Sequence, residues 1–74
     1  MNQRENQGYT ITDSIHIGQA ELVIGEKETV LGTEYAIWRC KDGDSYFWGR
    51  YTYDRSVAER DLLERAAGLL ADNP

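Results

Sequence analysis

The chain has 74 residues, a single cysteine and a formal net charge of −5. This length lies near the lower limit at which one hydrophobic core maintains a fold, and the lone Cys40 excludes an intramolecular disulfide. The excess of carboxylates disfavours functions that depend on neutralising nucleic-acid phosphates, and no apolar run is long enough to span a bilayer. Since the start of the chain carries no export signal, we expect a bacterial cytoplasmic domain without a membrane partner.

Two segments show no clear hydrophobic period. Residues 1–8 are polar, so we expect a flexible N-terminal arm ahead of a single domain over residues 9–74. Residues 25–33 combine two glycines with charged side chains, and we interpret them as a solvated connection. Val30 and Leu31 within it could begin the next strand or cap the edge of the core.

A first β-hairpin is predicted over residues 9–24. Apolar and polar residues alternate from residue 9 to residue 17, as is typical of a half-buried strand. Gly18 and Gln19 suit the two central positions of a type II′ turn. Counting outward from this turn pairs Ile15 with Leu22 and places the apolar partners on one face, so turn type and hydrophobic register agree.

A second, longer hairpin is predicted over residues 35–53. Asp42-Gly43 is the dipeptide that best supplies the two positive φ angles of a type I′ turn. If these two residues form the whole loop, Ile37 lies opposite Trp48 and aromatic side chains occupy both faces of the hairpin.

A helix can cover only one face of that hairpin. Because Ala36 opposite Gly49 would let a helix approach closely, we expect Ala36, Trp38 and Phe47 to point inward. The opposite choice would bury Ile37 and Trp48 instead, and the connection over residues 25–33 could shield the outer face. The expected outer face carries six candidate binding residues: Tyr35, Ile37, Arg39, Tyr46, Trp48 and Arg50.

The last segment, residues 54–74, changes from a period of two to a period of 3.6. Ser56 followed by Glu59 predicts a capping box at the helix start, and Asp61 with Arg65 forms a favourable pair one turn apart. An aliphatic stripe is expected to pack on the sheet, formed by Ala58, Leu62, Leu63, Ala66, Leu69 and Leu70. The predicted fold is α+β: a four-stranded antiparallel meander (β-β-β-β-α) packed in two layers on one C-terminal amphipathic helix.

Candidate catalytic and metal-binding groups are sparse. His16 opposite Glu21 is more typical of a cross-strand polar pair than of an acid–base pair, and Asp42 with Asp44 is explained by turn chemistry. No nucleophile–base set, phosphate-binding glycine loop or carboxylate dyad can be assembled. We therefore expect a protein that is not an enzyme and holds no metal or cofactor.

Two stretches carry a resemblance. Residues 5–18 (ENQGYTITDSIHIG) and 40–49 (CKDGDSYFWG) resemble small uncharacterised proteins of conjugative and other mobile elements of Gram-positive gut bacteria. The similarity covers most of the chain apart from residues 25–33. It implies an accessory role in a mobile element, and it implies no activity or functional residue.

Two functions fit the outer aromatic face. The first is a small interaction module that binds a protein partner or a second copy of itself, which would also compensate for a small core. The second is single-stranded nucleic-acid binding, in which rings stack on bases and Arg39 and Arg50 meet phosphates. The net charge favours the first. A decoy that imitates nucleic-acid charge would need acids concentrated on one surface, and they are spread along the chain.

Overall fold

The computed structural model describes residues 4–72, which form an antiparallel sheet and one C-terminal helix. The α+β class is confirmed, but the sheet has five strands instead of four, in the order β1-β2-β3-β4-β5. The extra strand, β1, lies within the predicted flexible arm, of which residues 1–3 are outside the described part of the chain. The elements are β1 Glu5–Asn6, β2 Tyr9–Ile17, β3 Ala20–Thr29, β4 Gly32–Lys41, β5 Ser45–Thr52 and α1 Arg55–Asp72.

The first hairpin, β2–β3, has the predicted register. Ile15 pairs with Leu22 and His16 with Glu21, and Gly18 has the positive φ of 60° that the first position of a type II′ turn requires. The alternation therefore brings Ile15, Ile17, Leu22 and Ile24 to one face, as predicted from the sequence, while Ile11 and Val23 lie on the other.

Residues 25–33, which we predicted to be a solvated connection, instead form the turn end of the long β3–β4 hairpin. β3 continues to Thr29 and pairs with β4 through to Gly32, so that Val30 and Leu31 form the two-residue tip. The Thr29 hydroxyl accepts a hydrogen bond from the Leu31 N–H at 3.1 Å and donates one to the Gly32 carbonyl at 2.9 Å. Val30 and Leu31 thus neither begin a strand nor cap the core.

The third turn has the predicted backbone but a different register. Asp42 and Gly43 have φ angles of 57° and 81°, yet Lys41 pairs with Ser45, so the loop has three residues. A bulge follows in β5, where Trp48 has a φ of 56° and Ile37 pairs with Arg50 rather than with Trp48. The extra loop residue places Tyr46 on the face of Trp38 and Phe47 on the face of Ile37, the reverse of the predicted grouping, and the bulge returns the residues after it to their predicted faces.

The helix packs on the face of the sheet that carries Ile37, and not on the predicted face that carries Trp38. Ile37 is buried against Leu62 of the helix, in a core formed by Leu22, Ile24, Ile37, Ala58, Leu62 and Ala66. The reason is that Ile24 pairs with Ile37, which joins the aliphatic face of the first hairpin to the face of the second that carries Ile37. An aliphatic helix stripe packs on that continuous aliphatic surface.

Trp38 belongs to a second core on the opposite face, with Tyr9, Val23, Ala36 and Cys40. The Tyr9 and Tyr51 rings, from strands that are three positions apart, have centroids only 6.0 Å apart. Three strand spacings in a flat sheet are about 14 Å, so the sheet is curled into a half-barrel with its aromatic side chains inside. Cys40, the single cysteine, is buried in this second core.

Glycines make room for the Trp38 indole inside the curl. A Cβ at Gly25 would lie 3.0 Å from Trp38 Cζ3, and one at Gly49 would lie 2.7 Å from Trp38 Nε1. The distance at Gly49 is too short for a real side chain, and the Cβ at Gly25 would in addition lie 2.9 Å from Tyr9 Cβ, so a side chain at either position would force its neighbours to move.

The helix begins two residues earlier than the capping box predicts. Asp54 is the N-cap, because its Oδ1 accepts the Ser56 N–H at 2.9 Å and the Ser56 hydroxyl at 2.7 Å. Leu63 and Leu70 of the predicted stripe are exposed. Asp61 takes a buried position instead, and its pair with Arg65 is confirmed at 2.9 Å.

Candidate functional site

The structure does not bring the six predicted binding residues together on one open surface. Ile37 is fully buried beneath the helix, and Tyr35 is half-buried against the same core. Arg50 also faces the helix, where its Nη1 lies 3.2 Å from Asp61 Oδ1. Tyr46 lies in the aromatic core on the opposite face. The predicted outer aromatic face is therefore wrong as a single surface, while a binding role for its individual residues stays a prediction.

Trp48 is the aromatic member of the set that is displayed to solvent. It lies in the bulge of the edge strand β5, and 68% of its surface is exposed. The Phe47 ring contacts it edge to face, with centroids 4.9 Å apart, and the Arg39 guanidinium lies 5.6 Å from the centre of its ring. These contacts hold the indole in one orientation although most of it faces water.

The helix supplies a second arginine to the same place. Arg65 Nη1 donates a hydrogen bond to the Trp48 carbonyl at 2.8 Å, and Arg65 Nε lies 2.9 Å from Asp61 Oδ2. The same carboxylate pairs with Arg50. Arg39 from β4, Arg50 from β5 and Arg65 from α1 therefore lie near Trp48, and the last two share the buried carboxylate of Asp61.

A groove of about 290 Å³ opens beside the indole, and we call it the Trp48 groove. Gly68 leaves space in its wall, since a Cβ there would meet nothing within 4 Å. Ligand pockets usually measure about 300–1,000 Å³, so this groove fits one or two apolar side chains or a single planar ring. Its lining residues are Leu22, Arg39, Trp48, Arg65, Gly68 and Leu69.

A polar cluster closes one end of the aromatic core. Arg4 donates hydrogen bonds to Glu21 Oε2 at 2.6 Å and Oε1 at 3.1 Å, to the Tyr46 hydroxyl at 3.1 Å and to the Cys40 sulfur at 3.3 Å. Ser14 donates a further bond to Glu21. The Arg4 hydrogen bonds hold the pKa of Glu21 at about 2, and burial raises the pKa of the Cys40 thiol.

This cluster is structural in character. A buried cysteine whose pKa is raised remains a protonated thiol and is a poor nucleophile. His16 Nε2 lies 3.5 Å from Glu21 Oε2, but that carboxylate is already bound by Arg4 and Ser14. Within residues 4–72 no three histidine, cysteine, aspartate or glutamate side chains are grouped as metal ligands.

Comparison with known proteins returns no relative. No protein-family model matches the chain, and neither a curated protein nor a solved structure is significantly similar to it. The helix of the described region is not long and apolar enough to cross a membrane.

The sequence reasoning found Trp48 and Arg39 but missed the helix side of the groove. The sequence predicts Arg65 as the helical partner of Asp61 and Leu69 as part of the helix stripe, and it assigns none of Arg65, Gly68 and Leu69 to a binding site. The available signal was Gly68 itself, a helix-interior glycine that costs about 1 kcal/mol relative to alanine and so suggests a requirement for space.

Proposed function

We propose that the protein is a small non-enzymatic interaction module that binds a segment of a partner protein through the Trp48 groove. The observation that carries the proposal is an exposed tryptophan beside an apolar groove with arginines on its rim. The resemblance of residues 5–18 and 40–49 to mobile-element proteins extends the proposal to an accessory role in such an element.

Preorganisation supports binding at this groove. Tryptophan and arginine are the side chains that most often dominate the energy of protein interfaces. Arg39 is already stacked on the Trp48 ring and Arg65 is already bonded to the Trp48 carbonyl. Because these long side chains are already ordered in the free protein, binding of a partner loses less conformational entropy.

The groove favours a partner segment in which an apolar side chain adjoins a carboxylate. Leu22, Leu69 and the indole offer an apolar surface, and none of the lining residues is acidic. A carboxylate of the partner can meet Arg39, whose guanidinium lies at the rim, while its apolar neighbour fills the groove.

Single-stranded nucleic acid is the second candidate, because an exposed indole beside arginines is also the arrangement on which bases stack. The net charge of −5 disfavours this candidate, since affinity for a phosphate backbone scales with the cations presented to it. A single indole also offers one stacking platform where such proteins use several.

The two candidates separate in a selection experiment. A displayed peptide library is selected on the wild-type protein and depleted on Trp48→Ala, and an enriched peptide and an oligothymidylate are then titrated against both. Tyr53→Ala is the matched control, since Tyr53 is also an exposed aromatic residue outside the groove. We expect peptides that combine aliphatic or aromatic residues with Asp or Glu, bound by wild type and Tyr53→Ala and lost with Trp48→Ala. Binding of the oligonucleotide alone would favour the second candidate, and no binding of either would refute both.

A further inference from the structure

The tip of the β3–β4 hairpin displays two aliphatic side chains to solvent. Val30 is fully exposed and Leu31 is 78% exposed. Tight turns are usually built from Gly, Asn, Asp, Pro or Ser, whose backbone preferences or short polar side chains suit the bend. Here Thr29 and Gly32 supply the turn chemistry, through the Thr29 hydroxyl and the positive φ of 123° at Gly32. The turn itself does not require Val30 and Leu31, so their exposure points to a contact with another molecule.

The base of the tip carries a net negative charge. Glu28 and Glu34 lie on the two strands next to the turn, against the single cation Lys27. The Lys27 ammonium lies 4.5 Å from the centre of the Tyr9 ring, and Tyr9 donates a hydrogen bond to Glu34 at 2.8 Å. Glu28 is exposed and is the charged residue nearest to the tip along the chain.

These properties are the complement of the Trp48 groove. The tip offers two aliphatic side chains with carboxylates behind them, and the groove offers an apolar surface with Arg39 and Arg65 at its rim. We propose that the partner of the groove is a second copy of this chain, which inserts its Val30–Leu31 tip beside Trp48. The inference rests on the proposed function and names the segment that the groove binds.

The contact has to form between copies. Leu22 lines the groove and Thr29 ends the same strand, so seven residues at about 3.3 Å each separate the two sites by roughly 23 Å. Tip and groove face different ends of a molecule that is 44 Å long. A reciprocal pair, in which each tip enters the groove of the other copy, closes as a two-fold dimer, whereas a one-sided contact leaves one tip and one groove free and allows rings or open chains to form.

Two variants that each disable one side of the contact provide the test. The tip variant carries Val30→Thr and Leu31→Ser, and the groove variant carries Trp48→Ala; all three positions are exposed, so both variants should fold. We expect the mass of the wild-type protein in sedimentation velocity to rise over about 10 µM to 1 mM, the range of weak association. Each variant alone should remain monomeric over that range.

An equimolar mixture of the two variants is the decisive sample. It retains one intact tip and one intact groove, so it should form a species of twice the monomer mass and nothing larger. A wild-type protein that stays monomeric, or a mixture that does not associate, would overturn the inference. So would a groove variant that assembles as the wild type does.

Failure of this inference can be told from failure of the proposed function. A monomeric wild-type protein that still binds a library-selected peptide, with binding lost in Trp48→Ala, would overturn self-association and keep the groove as a site for a different protein. The control Tyr53→Ala should assemble as the wild type does, since Tyr53 belongs to neither the tip nor the groove. Loss of assembly in this control would also overturn the inference.

Discussion

Replacing Glu21 with glutamine should remove a defined, pH-dependent part of the stability. The hydrogen bonds from Arg4 hold the pKa of this buried carboxyl at about 2, below its ordinary value of 4.5. That difference corresponds to at most about 3 kcal/mol. The Arg4 side chain is 37% exposed, so solvent screening reduces the expected contribution to about 2 kcal/mol.

The sign of the effect follows from the lowered pKa of Glu21. The contribution is complete above pH 4.5 and is lost as the pH falls through about 2, because the unfolded chain takes up the proton first. Urea unfolding of wild type and Glu21→Gln, each at pH 7, 5, 4 and 3, measures it. We expect Glu21→Gln to be less stable by about 2 kcal/mol at pH 7 and the difference to shrink steadily toward pH 3.

The matched control for this series is Glu28→Gln, at an exposed position on the same strand. Its stability should follow the wild-type curve at every pH. A gap between wild type and Glu21→Gln that stays constant with pH would mean that the Arg4 pair does not hold the pKa of Glu21 down, and the reasoning would be refuted.

Three further predictions concern the two cores, and urea unfolding at pH 7 measures each. Leu62→Ala should cost about 2–5 kcal/mol because Leu62 is buried in the aliphatic core, whereas the exposed Leu63→Ala should cost less than about 0.5; equal costs would mean the helix is rotated. Trp38→Ala should lower the free energy of unfolding by about 3–5 kcal/mol and Trp48→Ala by less than about 1, because only Trp38 is buried. The reverse order would mean that Trp48, and not Trp38, is the indole inside the curl. Gly49→Ala should cost about 1–3 kcal/mol because its Cβ would meet Trp38 Nε1, and a neutral result would show that the indole has room to move.

The sequence predicts structure best where two local signals agree. At Gly18 and Gln19 the turn chemistry and the alternation of apolar residues require the same register, and the structure has that register. At Asp42 and Gly43 the turn chemistry alone predicts both positive φ angles correctly. It does not predict that the strands close across three residues instead of two, because hairpins of either length can contain such a turn.

The face covered by the helix depends on a long-range pairing. Ile24 pairs with Ile37 across the β3–β4 ladder, and this pairing decides that the aliphatic side of both hairpins is continuous. The β3–β4 pairing could not be predicted from the sequence because residues 25–33 have a charged, glycine-containing composition that is typical of a loop. A glutamate- and lysine-rich strand that projects beyond the core has no apolar alternation to reveal it.

The candidate site was predictable only in part, for a related reason. An aromatic residue near arginines on the second hairpin is visible in the sequence, and Trp48 with Arg39 was found in this way. The bulge that turns Trp48 outward lies where Gly49 packs so closely on Trp38 that a Cβ would be 2.7 Å from Nε1. That contact exists only in the folded sheet, and so does the approach of Arg65 from the helix.

The bulge at Trp48 also affects whether another chain can add a strand to this edge of the sheet. β5 is an edge strand, and an edge with regular unpaired amides and carbonyls is a template on which another chain can add a strand and begin aggregation. Here the positive φ of Trp48 interrupts the regular edge at its middle, and the Trp48 carbonyl is already bonded to Arg65. The bulge therefore breaks the regular pattern that a continuous intermolecular ladder along this edge would need. It lets the protein expose a tryptophan at the border of a sheet with less tendency toward the cross-β association to which aromatic edge strands are prone.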